Sequence, residues 1–98
     1  MTIEQKSEGS TLILKVSGRL DTMTAPELES VIKENIKGVE KLVLDFQDLE
    51  YISSAGLRVV LGARKAMGEG DSFVVCNLCS DVGEIFDITG FSDIITIQ

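Results

Sequence analysis

Two adjacent hydroxyls, Ser53 and Ser54, stand immediately before Ala55-Gly56-Leu57-Arg58-Val59-Val60-Leu61, in which Leu57, Val60 and Leu61 have helical spacing. A hydroxyl at a helix start can cap the unpaired backbone amides. It can also mark a place where a phosphate is well received, because the amides and the helix dipole both favour negative charge there. Spacing alone leaves both chemistries open. Ala55 and Gly56 favour the second, since a first turn of such small residues leaves its backbone open to another molecule.

The other reactive groups are the thiols of Cys76-Asn77-Leu78-Cys79. A structural zinc needs four ligands, and the chain has two cysteines and no histidine, so only an intermolecular site would close. A thioredoxin-like redox pair would open a helix, whereas Cys76 completes a predicted strand and Cys79 precedes a predicted cap. These thiols read as buried or incidental, which suits a reducing compartment. Without histidine there is also no usual general base at neutral pH and no Ser-His or Cys-His pair. A nucleophilic Ser54 would need a substitute base such as Lys65, about three helical turns away, and catalysis is not expected. No metal or cofactor is expected either.

At 98 residues and 44% hydrophobic content the chain is read as one folded domain, 1-98. Its formal charge is −7 and its nine lysines and arginines are scattered, so no footprint for a nucleic acid or an anionic membrane exists. Apolar runs are far below the roughly 20 residues of a bilayer span, and Met1 to Lys6 holds no apolar signal core. A cytoplasmic protein is expected.

The elements that must position Ser53 and Ser54 follow from periodicity. Thr2 to Lys6 and Thr11 to Ser17 read as strands joined by a turn at Glu8-Gly9-Ser10, with Leu12, Leu14 and Val16 on one face. Gly18 to Met23 reads as a loop, and Thr24-Ala25-Pro26-Glu27 as a capping box opening a helix with Leu28, Val31, Ile32 and Ile36 inward and Gly38 at its end. Lys41 to Asp45 reads as a strand buried on both faces, leading through Phe46 to Ile52 into the central helix. In that helix, close packing against the sheet would account for Gly62. A turn at Gly68-Glu69-Gly70-Asp71, a strand Ser72 to Cys76, a helix capped by Ser80 and stopped by Gly90, and a strand Ile94 to Ile97 complete the chain. Val82, Ile85 and Phe86 would face inward.

The fold class is thus α/β, ordered β-β-α-β-α-β-α-β, with an N-terminal hairpin leading into a mostly parallel sheet. Function in such sheets gathers at the carboxyl ends of strands, which sets the Asp21 loop beside the Ser53-Ser54 loop. Asp21 either satisfies local backbone groups or contacts a partner. Thr22 and Met23 share its loop, and Met23 suits an adaptable interface as well as a core anchor. Arg58 lies away from the apolar stripe, as a solvated charge or a contact for an acidic partner.

The run Asp45 to Leu57, with Gly18-Arg19-Leu20-Asp21 before it and Ile85-Phe86-Asp87-Ile88-Thr89-Gly90-Phe91 after it, resembles a STAS domain of the anti-sigma factor antagonist type. The likeness extends from the first strand to the last. Many members carry a further C-terminal helix, and this sequence stops at Gln98. The resemblance implies a partner switch: the unphosphorylated protein binds a serine-kinase anti-sigma factor, the kinase phosphorylates a serine at this helix start, and a metal-dependent phosphoserine phosphatase reverses the change. By position the acceptor is Ser54, with Ser53 second. Ser53 falls where sporulation-type members have aspartate, and Ala55 where they have a second serine. The expected partner surface is Asp21, Thr22, Met23, Ser53, Ser54, Ala55, Gly56 and Arg58. A phosphate on Ser54 would add about −1.5 to −2 charges near Asp21 and Asp45. The alternative implied by the family is an unphosphorylated STAS module serving a membrane-associated transport or signalling complex.

Overall fold

In the computed structural model, which describes residues 1–68 and 70–98, one face of a mixed sheet carries three helices. Glu69, within the expected turn Gly68-Glu69-Gly70-Asp71, lies outside the described residues. β1 (Thr2–Glu8) and β2 (Thr11–Leu20) form an antiparallel hairpin closed by Gly9 and Ser10, Gly9 having φ 61°. α1 (Ala25–Asn35) leads to β3 (Lys41–Asp45) and β4 (Leu49–Ile52), then α2 (Ser54–Met67) and β5 (Phe73–Cys76). α3 (Ser80–Ile88) and the two-residue β6 (Thr96–Ile97) complete the chain. The main sheet order is β1-β2-β3-β5-β6, parallel throughout except for β1, and β4 pairs with the end of β2.

Period-two alternation in β2 turns Leu12, Leu14 and Val16 into the core, where Leu42 and Leu44 of β3 and Phe73 and Val75 of β5 join them. Leu28 and Ile32 of α1, Val60 and Ala63 of α2, and Val82 and Phe86 of α3 cover that layer. Each of the valine, leucine, isoleucine and phenylalanine side chains so withdrawn from water contributes roughly 1.5 to 3 kcal/mol toward folding. No described helix covers the opposite face of the sheet, so β3 is not buried on both sides: Val43 and Asp45, which point to that face, are half-buried.

Several local expectations are corrected. Gly18, Arg19 and Leu20 continue β2 rather than forming a loop, because β4, itself not anticipated as a strand, gives them a partner. Glu50 is the extra residue where the register shifts, Gly18 facing Leu49 and Arg19 facing Tyr51. That shift turns both Leu49 and Ile52 inward and hides the strand's alternation. Thr24 forms no capping box; its hydroxyl accepts from the Asp21 amide at 2.9 Å and donates to the Arg19 carbonyl at 2.8 Å, binding the turn instead of the helix. Cys79, not Ser80, is the N-cap residue of α3. Gly62 is exposed with nothing within 4 Å of where its Cβ would stand, so no packing contact requires it. Ile94 precedes β6 in a turn that leaves it half exposed.

Candidate functional site

β2 and β4 run parallel and end level, Leu20 opposite Ile52, and the Ser53 amide continues the ladder by donating to the Leu20 carbonyl at 2.9 Å. The turn after β2 and the helix after β4 are therefore neighbours. This brings together the Asp21 and Ser53-Ser54 segments, as the parallel arrangement required.

The two hydroxyls have different surroundings. Ser53 keeps an extended backbone (φ −97°, ψ 176°), accepts the Leu57 amide on its carbonyl at 2.9 Å, and accepts the Gly56 amide on its Oγ at 3.4 Å. It is the helix cap, held by a long side-chain bond. Ser54 is the first residue of α2, exposed, and its hydroxyl makes no hydrogen bond among the described residues. Its place in the first helical turn puts it beside amides that have no intrahelical acceptor.

Around Ser54 the first turn divides by depth. Arg58 is exposed and Ala55 half-buried. Gly56 is buried, and a Cβ on it would come within 2.8 Å of both Leu20 Cγ and Ile52 Cγ1 and 3.0 Å of the Leu20 carbonyl. It therefore faces inward, a correction to the open turn expected at this position. The missing side chain lets α2 approach the ends of β2 and β4 closely, which sets the height of Ser54 above the sheet.

Asp21 serves its own turn. Its Oδ1 accepts the amides of Met23 at 3.0 Å and Thr24 at 3.1 Å, and its carbonyl accepts the Ala25 amide at 2.8 Å. Desolvation draws its pKa upward, but the amides of Thr24 and Met23, the Thr24 hydroxyl and the Arg19 charge outweigh it and hold the carboxyl below 3.8. This arrangement lifts the turn so that Thr22 and Met23 are exposed, Met23 to 86%. A core anchor at Met23 is thereby excluded.

Sequence reasoning did not single out Arg19 and Tyr51 as site residues. Arg19 lies over the Tyr51 ring at 4.2 Å, with its Nε 4.0 Å from Asp21 Oδ2. Both project from the sheet on the side opposite Leu20 and Ile52, at the rim of the Asp21 turn. Only recognition of β4 as a strand could have paired them. Asp45, in contrast, faces Lys15, five residues short of Leu20 and so about 16 Å down the strand, too far to join the Ser54 surface. Its Oδ1 accepts from Gln47 N and Asn77 Nδ2.

The cysteines are free and half-buried. Cys76 follows core residue Val75 and so lies on the opposite face of β5, whereas Cys79 packs against the core and its thiol donates to the Leu49 carbonyl at 3.5 Å. Burial, and secondarily the charge of Asp45, raise the Cys76 thiol above 9.0. No cluster of three or more candidate ligands for a metal occurs among the described residues. None of the described helices is long and apolar enough to cross a membrane.

Comparison with known proteins gives a consistent result. The model of the STAS domain matches residues 2–98. The anti-sigma-B factor antagonist of Staphylococcus aureus is 28% identical over 100 residues, spanning 100% of this chain and 93% of its own. BtrV of Bordetella bronchiseptica, assigned as an anti-sigma factor antagonist, is 39% identical over 88% of this chain and 76% of its own. The unphosphorylated form of the anti-sigma factor antagonist SpoIIAA superposes with a TM-score of 0.83 at 18% identity, covering 99% of this chain and 88% of that one. The phosphorylated form of SpoIIAA, from Bacillus, gives 0.75 at 17%, covering 99% and 91%. At that identity the likeness speaks for the fold.

Proposed function

This chain belongs to the STAS domain family, among the anti-sigma factor antagonists, and from that premise we propose that it is a phosphorylation-controlled binding protein. In its unphosphorylated form it binds a serine-kinase anti-sigma factor through the Ser54 surface. Phosphorylation of Ser54 by that kinase releases it, and a phosphoserine phosphatase restores it. The protein is the kinase's substrate and performs no catalysis in this cycle.

The observation that carries the assignment is the division of labour between the two serines. Ser53 is engaged as cap, and Ser54, exposed on the first turn of α2, presents a hydroxyl that has no hydrogen-bond partner among the described residues. A kinase can therefore reach the Ser54 oxygen without dismantling the helix start. SpoIIAA, which shares the fold, exists in a phosphorylated form. The resulting phosphate would sit where helix amides and dipole stabilise negative charge, so the local backbone can persist. A partner packed against the neutral first turn must then desolvate a dianion or oppose it with its own carboxylates. A hundredfold loss of affinity would require only about 2.7 kcal/mol. Met23, Thr22 and Arg58 supply an exposed rim for that partner, and Asp21 holds the rim in shape.

The test is intact-mass analysis and peptide mapping after incubation with Mg-ATP and the serine kinase encoded nearest to this protein. One phosphate on Ser54 is expected. Ser54→Ala should block it while preserving kinase binding, and Ser54→Asp should bind the kinase more weakly with the fold retained. Phosphate on Ser53 would reverse the assignment of the acceptor; no phosphate, with a kinase active on another substrate, would sink the switch.

A further inference from the structure

Strand β1 is a sheet edge. It pairs with β2 alone among the described residues, runs for seven residues, Thr2–Glu8, and is exposed except at the half-buried Ile3. The opposite edge, β6, is two residues long. No proline, bulge or covering helix protects β1, and what guards it is charge: Glu4, Lys6 and Glu8. Those charges alternate in sign along one face of the strand, and this pattern discriminates between partners instead of repelling all of them.

The hairpin geometry says which backbone groups are free. With Gly9 and Ser10 as a two-residue loop, Glu8 and Thr11 form the closing pair that exchanges both hydrogen bonds. By alternation Thr2, Glu4, Lys6 and Glu8 turn their amides and carbonyls toward β2, and Ile3, Gln5 and Ser7 turn theirs to the open edge. A second strand can be hydrogen-bonded there.

We propose that the occupant of this edge is a second copy of the chain, its β1 pairing antiparallel to the first about a two-fold axis at Gln5. Three antiparallel registers keep the core-facing side of both sheets aligned and pair at least five residues of each β1. One centred on Glu4 sets Glu4 against Glu4, and one centred on Lys6 sets Lys6 against Lys6 and Glu4 against Glu8. The register centred on Gln5 sets each Glu4 against Lys6 of the other copy, twice by symmetry, with Thr2 against Glu8 and no like charges opposed. In it Gln5 and its mate exchange two backbone hydrogen bonds. Glu4 and Lys6 then fall in a non-hydrogen-bonded pair, the arrangement in which side chains approach most closely. The contact is closed by its own symmetry, so it yields a dimer with one continuous sheet and not a fibre.

The measurement is sedimentation of the full chain at low salt over concentrations up to millimolar, with circular dichroism to verify the fold. Wild-type protein should show a concentration-dependent dimer. Glu4→Lys alone opposes two lysines and Lys6→Glu alone opposes two glutamates, so each variant should dimerise roughly tenfold more weakly or worse. An equimolar mixture of the two variants restores every opposite-charge pair, and a heterodimer should form where neither variant associates by itself. A wild-type chain that stays monomeric at millimolar concentration overturns the proposal. So does a dimer that both single reversals leave unchanged, or a mixture that fails to associate.

Discussion

Ser53 and Ser54 are chemically identical and differ only in what surrounds them. Ser53 Oγ meets the Gly56 amide, and Ser54 Oγ projects to solvent. Their alanine variants should therefore separate cleanly in chemical denaturation. Ser53→Ala removes a cap and should cost about 0.5 to 2 kcal/mol, toward the lower end because the bond is long. Ser54→Ala should change stability little. A large loss at Ser54 with none at Ser53 would mean the cap had been misassigned and would weaken the case for Ser54 as acceptor. Asp21 shows the limit of this separation. Its carboxylate organises the turn that exposes Met23, so a change there alters the shape of the rim together with any direct contact.

At the scale of elements, the two glycines of α2 make opposite predictions. A Cβ at Gly56 would overlap Leu20 and Ile52, and Gly56→Ala should destabilise the protein by about 1 to 3 kcal/mol through overpacking. Gly62 is exposed with open space around it, and Gly62→Ala should stabilise by about 0.5 to 1 kcal/mol through helix propensity alone. Thermal or denaturant unfolding checks both. Neither role was legible in the sequence, because glycine in a helix announces a cost without saying whether a neighbour requires it. The strong alternation of β2 and the apolar stripes of the helices were legible, since periodicity reports burial directly, whereas the apolar run Lys41 to Asp45 announced a strand but not that only one of its faces is covered. β4 was not, because the register shift at Glu50 brings Leu49 and Ile52 to the same face three residues apart. The Arg19 and Tyr51 pair went unseen with it. The adjacency of the Asp21 and Ser53-Ser54 loops could be inferred from topology, but the choice of capping serine needed coordinates.

Across the whole molecule, the helices lie on one sheet face and the candidate site lies at the carboxyl ends of β2 and β4, beyond the core rather than within it. Ser54 can gain charge without disturbing a core side chain, so the proposed switch needs no rearrangement of the fold. The edge at β1 lies on the far side of β2 from β3, leaving the helical layer and the Ser54 surface uncovered when two copies pair. The stack of Arg19 on Tyr51 gives this molecule an optical property. Tyr51 is the only tyrosine and the chain has no tryptophan, so its tyrosine emission comes from one ring, three residues before Ser54. Titration with a tryptophan-free partner fragment should change that emission if the fragment docks over the Asp21 rim and displaces or shields Arg19. A fragment that binds without altering it would be sitting on another face. The protein thus carries its own fluorophore at the edge of the surface in question, and occupancy there can be followed without a label.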